Sequence, residues 1–250
     1  MTHAIAIDGL SGAGKSTVSK FLAQRLGIHY LDTGAMYRSL AYAAKQDRID
    51  LSREDQVKDW LPDCGLKISL NNHGQKTFIH KMDVSSLIRS PEMSRLSSEI
   101  SALPPVRHYC AAKQRELANR TPLVLDGRDI GSFVLPNADF KFYLDATAEE
   151  RAKRRYLQMQ NKAAPETELQ SFEQVLREIR SRDLNDSSRE LAPAVAAEDS
   201  IIIDTTKLDL EQVIERIIFL MQERAGKDED IRSFWHDYLE RARVLNNGKN

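Results

Sequence analysis

The chain has 250 residues, enough at about 150 residues per domain for a full α/β core with additions, and too short for a large multidomain ATPase. Hydrophobic residues make up 41% and charged residues 29%, too apolar for a disordered chain and too polar for a membrane protein. The 36 Lys and Arg against 37 Asp and Glu leave a formal charge of −1, so no overall positive field draws nucleic acid to the chain and any anion site is local.

Residues 4–8 (AIAID) read as a strand, GLSGAGKS as a glycine loop, and Val18, Phe21, Leu22 and Leu26 as the apolar face of a helix. Reaching Asp8 so early argues against a signal peptide, and no later apolar run approaches the roughly 20 residues that cross a bilayer. Gly9, Gly14, Lys15 and Ser16 satisfy G-x-x-x-x-G-K-[ST], in which backbone N–H groups face phosphate while Lys and Ser reach phosphate oxygens and Mg²⁺. The following helix adds about half an elementary positive charge at its N-terminus. A strand before and a helix after favour a nucleoside triphosphate site over a ligand-free glycine turn.

IHYL (28–31) reads as a second strand, followed by a helix from Ala35 to about Lys45. LKISL and KTFIHK alternate in steps of two around NNHGQ, a β-hairpin in an inserted subdomain between residues 65 and 83. Ser90 and Pro91 start a helix, and Pro104-Pro105 ends it before another that runs to about Asn119. LVLDG (123–127), FKFYLD (140–145) and SIIID (200–204) are apolar runs ending in Asp, the pattern of buried parallel strands whose carboxyl ends face a site. With the first two they make a five-stranded parallel sheet flanked by helices.

Residues 148–190, dense in Arg and Glu with a polar break at NKAAPETE, read as a helical hairpin that forms a mobile cover. Arg151, Arg154 and Arg155 share one face there at i, i+3 and i+4 spacing, placed to close over a nucleotide. The plainer alternative is a solvated helix tied by Glu173–Arg177 and Glu178–Arg182 pairs. From 227 onward Ile231, Phe234, Trp235, Tyr238, Leu239, Ala242 and Leu245 form one helical stripe, expected to pack on the protein's own surface, with self-association as the alternative.

Cys64 and Cys110 form no CxxC pair and read as buried small side chains in a reducing, cytoplasmic setting, and the six His show no zinc-site spacing. The absence of an N-K-x-D sequence removes a GTPase switch and leaves a small phosphotransferase. LDTGAMYR carries Thr33, Tyr37 and Arg38 at the end of the second strand, and LDGRD carries Asp126, Arg128 and Asp129 at the end of the third. Both fall on the edge that bears the glycine loop, where open α/β sheets bind ligands. Asp126 reads either as a Mg²⁺-water ligand or as a strand-end cap, Asp8 as structural beside the loop, and Asp145 and Asp204 as caps or turn formers.

Taken together, IAIDG with GAGKS, LDTGAMYR, DVS and IR at 83–89, DGRDIG, and RDLNDSSR at 182–189 resemble the bacterial cytidylate kinase family over about residues 4–224. The resemblance implies a P-loop NTPase fold with an inserted NMP-binding subdomain and a helical lid, and Mg²⁺-dependent, in-line transfer of the γ-phosphoryl group of ATP to CMP or dCMP. It divides residues 1–226 into a core (1–36, 103–147 and 191–226), an NMP-binding insert (about 37–102) and an arginine-rich lid (about 148–190), leaving 227–250 as a C-terminal helical extension. By the same resemblance Gly9, Leu10, Ser11, Gly12, Ala13, Gly14, Lys15, Ser16 and Thr17 hold ATP and Ser16 lies near Mg²⁺, and the spacing on the lid helix adds Arg154 and Arg155 as ATP contacts. Thr33, Arg38 and Arg128 contact the CMP phosphate with Tyr37 beside them; Ser98, Arg107, Asp129 and Arg189 read cytosine; Arg182 and Asp186 contact the ribose. Lys15, Arg128, Arg154 and Arg182 are the expected catalytic cations.

An ionised Asp129 suits this assignment, because it accepts from the exocyclic amine of cytosine and faces lone pairs in uracil. Leu10 departs from the family's usual proline, at a position the general motif leaves free. The implied partners are ATP and CMP or dCMP, with no nucleic acid or membrane, and the implied state is a monomer. A kinase for another small substrate and an ATP-sensing regulator are the alternatives; a sensor has no need of a second phosphate cradle.

Overall fold

The computed structural model describes residues 3–71, 74–161 and 170–247. Five strands, β1 (Ala4–Gly9), β2 (His29–Asp32), β6 (Leu123–Asp126), β7 (Phe140–Asp145) and β8 (Ile201–Asp204), form one parallel sheet in the order β2-β6-β1-β7-β8. Alternation along β1 explains the layers: Ala4 and Ala6 face one apolar cluster, Ile5 and Ile7 the other. The first cluster is closed by α2 (Thr33–Gln46) and α5 (Pro104–Ala118). The second is closed by α1 (Lys15–Leu26), α8 (Leu210–Ala225) and α9 (Glu229–Asn247). Register places Asp126 beside both Ile7 and Asp32, so the segments leaving β1, β2 and β6 meet at one edge.

The hairpin is a three-stranded antiparallel sheet of β3 (Leu66–Asn71), β4 (Gly74–Ile79) and the two-residue β5 (Met82–Asp83). Gln75 ties it to the core: its Oε1 accepts from the Asp32 N–H at 2.7 Å. The second helix starts two residues earlier than its periodicity suggests, because Asp32 caps it, accepting from the Ala35 N–H at 2.8 Å. A short helix, α3 (Glu54–Trp60), went unpredicted; Val57 is its one fully buried side chain. Ser90 caps α4 (Pro91–Ile100) as expected.

The arginine-rich region is a helical hairpin of α6 (Ala148–Gln160) and α7 (Phe172–Ser187); its polar break, apart from Asn161, lies outside the described residues. Among the described residues two salt bridges join the helices, Arg180 to Glu149 at 2.6 Å and Arg151 to Asp183 at 2.7 Å, and a third, Arg154 to Glu150 at 3.1 Å, lies within α6. The pairs of the plainer alternative, Glu173–Arg177 and Glu178–Arg182, do not form salt bridges among the described residues: Glu178 accepts from Gln170 just before α7, and Arg182 lines the cleft. Arg151 corrects the expectation of an open arginine face: it is buried beneath the helix.

The C-terminal stripe packs on the chain itself. Trp235 is fully buried and donates its indole N–H to Asp139 at 2.6 Å, and Ile231, Leu239 and Ala242 join the same apolar cluster; the side chain of Leu245 lies outside the described residues. Cys64 and Cys110 are buried and unbridged. No helix among the described residues is long and apolar enough to cross a membrane.

Candidate active site

Two glycines shape the loop after β1. Gly9 has φ +143°, and a Cβ there would sit 2.2 Å from the Leu144 carbonyl oxygen of the neighbouring strand. Gly12, at φ +82°, lies with its backbone against the foot of α6, where a Cβ would stand 3.0 Å from Arg151. The helix that follows has no side-chain cap and no acidic residue in its first turn, so its N-terminal N–H groups and partial positive charge are open to an anion.

A cleft of about 470 Å³ opens at this edge. It brings together Ser11, Gly12, Gly14, Lys15, Ser16 and Thr17 from the loop, Thr33, Tyr37 and Arg38 from α2, and Ser98 and Arg107 from α4 and α5. Arg128 and Asp129 join them from the segment after β6, Arg154 and Arg155 from α6, and Arg182, Asp186 and Arg189 from α7 and its end. Gly9, Leu10 and Ala13 do not line it: the Gly9 carbonyl accepts from Arg128 at 3.1 Å, the Leu10 carbonyl accepts from Lys15 Nζ at 2.7 Å, and Ala13 is buried in the apolar layer. These three support the loop from behind.

Within the cleft most cations already have partners. Arg107 and Asp129 form a buried pair at 2.5 Å. Asp186 accepts from Arg128 at 2.9 Å and from Arg189 at 2.5 Å, and Arg38 pairs with Asp32 at 3.0 Å. The side chain of Arg154 is held at the end of β8, donating to the Thr205 carbonyl at 2.6 Å and to Glu150 at 3.1 Å. The Thr33 hydroxyl donates to the Asp126 carbonyl at 2.6 Å and so fixes β2 to β6.

Lys15 and Arg182 differ. Among the described residues neither has a carboxylate within salt-bridge distance, and the Arg182 Nε is buried with no acceptor. Burial pushes the Lys15 ammonium well below its ordinary value, reinforced by Arg128, and burial with Arg128 also lowers Arg182. Two desolvated cations lining one cleft suit an anionic ligand.

Asp126, left outside the expected catalytic set, sits at the centre. It is buried, accepts from Ser16 Oγ at 2.6 Å and from the Tyr30 hydroxyl at 2.8 Å, and burial raises its carboxyl pKa. A serine hydroxyl beside a carboxylate at the loop's mouth is a hard oxygen pair of the kind Mg²⁺ prefers, so these residues fit the ion. The signal that marked Asp126 in the sequence was the carboxylate ending an apolar strand beside a phosphate loop. Asp32, which ends the second apolar strand, carries the same signal and also lines the cleft, as do Gly34, Ser94, Ser97, Ser101 and Gln158, which carry none.

Asp8 has the structural role expected of it, and a larger one. Its two oxygens accept from the N–H groups of Ile130 and Gly131 at 2.8 and 2.7 Å, fixing the segment directly after Arg128 and Asp129. Burial outweighs those two donors and pushes its carboxyl up to about 7 from the ordinary 3.8. A folded value above the unfolded one means that its contribution to stability is full below about pH 4 and lost as pH rises through about 7. Asp8→Asn does not ionise and is therefore expected to gain stability relative to wild type as pH is raised across that window. Thermal melts of both proteins at several pH values check this, and parallel curves contradict it. Asp145 and Asp204 form turns, accepting from the N–H groups of Ala146 and Thr206, each at 2.9 Å.

A family model described as cytidylate kinase matches residues 5–223. The cytidylate kinase of Geobacillus sp. is 44% identical over 222 residues, covering 89% of this chain and 97% of that protein. That of Carboxydothermus hydrogenoformans is 42% identical, covering 91% of this chain and 99% of its own, and that of Caldanaerobacter subterraneus is 45% identical over 87% and 93%. The last helix, α9, begins beyond the residues the family model matches.

Proposed function

The chain belongs to the cytidylate kinase family, a family of nucleoside monophosphate kinases, and from that premise we propose that it transfers the γ-phosphoryl group of ATP to CMP or dCMP, giving ADP and CDP or dCDP. The observation that carries this reading is the pair of buried cations with no carboxylate partner among the described residues, Lys15 and Arg182, lining one cleft.

In this reading the polyphosphate of ATP lies on the N–H groups of the loop and the start of α1, with Arg155, exposed on α6, reaching the donor nucleotide. Lys15 leaves the Leu10 carbonyl for the transferred phosphate, and Arg182 approaches from α7. Ser16 and Asp126 would hold Mg²⁺, which would supply neutralisation of phosphate charge. Arg38 and Arg128 take the acceptor phosphate, exchanging Asp32 and Asp186 for it; Asp186, so released, serves the ribose. Asp129 gives one oxygen, Oδ2, to Arg107 and turns Oδ1 to the amine of cytosine. Phosphoryl transfer rests on alignment and charge neutralisation more than on a general base, which suits a cleft lined by guanidinium groups.

Residues 37–102 serve as the acceptor-binding insert and 148–190 as a lid that excludes water, which otherwise competes as acceptor. The enzyme acts in the cytoplasm as a monomer on small-molecule substrates. A coupled ADP-release assay with CMP, dCMP, UMP and AMP tests the reading. We expect CMP and dCMP to be used with kcat/KM at least about 10²-fold above UMP, since a site that hydrogen-bonds its base rejects one that leaves those groups unpaired. ADP release independent of acceptor removes the kinase reading, and UMP preferred over CMP removes the assignment of Asp129.

A further inference from the structure

Arg151 does not line the cleft, yet it touches three elements that frame it. Its side chain is 4% exposed. Nε donates to the Ala146 carbonyl at the foot of α6 at 2.9 Å, and Nη1 donates to the Ser11 carbonyl in the phosphate loop at 3.0 Å. Nη1 and Nη2 together grip both oxygens of Asp183 on α7, at 3.1 and 2.7 Å. Asp183 directly follows Arg182 and stands less than one helical turn before Asp186, the two α7 side chains that face the acceptor half of the cleft.

The planar peptide makes this chain of contacts responsive to the donor nucleotide. The Ser11 carbonyl and the Gly12 N–H belong to one trans peptide unit and point in opposite directions. With the carbonyl turned to Arg151, the N–H points away from it, and Gly12 forms part of the cleft wall. A phosphate oxygen on that N–H fixes the peptide plane, hence the Ser11 carbonyl, hence the guanidinium. The guanidinium's rigid fork passes the constraint to Asp183. Arg128 makes a second link, from the Gly9 carbonyl to Asp186, but it faces the cleft and is itself recruited by the acceptor.

We propose that Arg151 is a positioning residue that couples the two substrate sites: a nucleotide on the phosphate loop, acting through Ser11, Arg151 and Asp183, sets α7 so that Arg182 and Asp186 meet the acceptor, and raises acceptor affinity. The proposal rests on the CMP kinase reading. Coupling is reciprocal, so the acceptor raises affinity for the donor by the same factor.

Isothermal titration of the full chain with CMP, with and without the Mg²⁺ complex of the β,γ-imido analogue of ATP, reads the coupling factor directly. Wild type is expected to bind CMP about 5- to 100-fold more tightly with the analogue present. Arg151→Lys keeps the charge but cannot bridge Ser11 and Asp183. Asp183→Asn weakens the bridge from the α7 side, at a position 17% exposed, keeping one oxygen to accept from Arg151. In both variants the factor is expected to fall towards one, while affinity for either ligand alone shifts by less than about threefold. The same factor in wild type and both variants overturns the proposal, and so does an equal loss of CMP affinity with and without the analogue, which marks a purely structural role. A wild-type chain that binds no CMP at all refutes the CMP reading, and the proposal with it.

Discussion

Replacing Lys15 by Ala is expected to lower kcat by about 10³-fold or more, because in the proposed reaction it removes a desolvated cation from the transferred phosphate. The fold should not suffer. The ammonium is buried, has no salt bridge, and makes its one hydrogen bond to the Leu10 carbonyl, so truncation deletes an unfavourably buried charge. A melting temperature equal to or above wild type, together with that loss in the ADP-release assay, is the predicted pair of results. Activity within tenfold of wild type contradicts the placement of Lys15 at the reacting phosphate.

Asp129→Asn should change which base the enzyme prefers. In the native cleft Arg107 occupies one carboxylate oxygen, and the other is free to accept from cytosine. An asparagine has one acceptor, and the buried guanidinium of Arg107 claims it, so the NH₂ group turns to the base. That group opposes the amine of cytosine and matches the carbonyl of uracil. Each such contact is worth about 1–3 kcal/mol of discrimination, so the ratio of kcat/KM for CMP over UMP is expected to fall by about 10²-fold. KM for ATP should move little. Asp129→Ala instead leaves the buried Arg107 without its carboxylate, held only by the Ser101 and Ala192 carbonyls, which costs about 3–5 kcal/mol and appears as a lower melting temperature. An unchanged CMP to UMP ratio in the Asn variant takes Asp129 out of the base site.

The strands and the loop were legible because their signals are local. Each core strand is an apolar run ending in a carboxylate, and the phosphate loop needs its glycines at fixed positions, so spacing alone carries both. Arg151 was misplaced because i, i+3 and i+4 spacing defines a helix face but not what lies against it. The partners that pull Arg151 inward, Ser11 and Asp183, stand 140 residues before it and 32 after it. Asp8 was read as structural for its position, but the N–H groups it holds belong to Ile130 and Gly131, more than 120 residues away, beyond any local pattern. The helix α3 and the strand β5 escaped notice for a different reason: with seven and two residues, neither is long enough to show a period.

The C-terminal helix shows how an amphipathic stripe is resolved by packing. Its apolar face had two possible covers, the chain itself or a second copy, and Trp235 settles the matter within the chain by inserting into the cluster beneath β7 and bonding Asp139. The indole N–H finds a carboxylate at the buried end of the ring, as a buried tryptophan requires.

The proposed reaction requires two nucleotides held phosphate to phosphate in a single cleft. A crystal structure with a bisubstrate analogue, adenosine and cytidine joined through a polyphosphate bridge, tests that most directly. The predicted result has the bridge running from the Gly12–Thr17 amides and Lys15 to Arg38 and Arg128, with cytosine against Asp129 and Arg107. A cytidine end lying outside the cleft, or Arg128 and Asp129 untouched by the ligand, would contradict it.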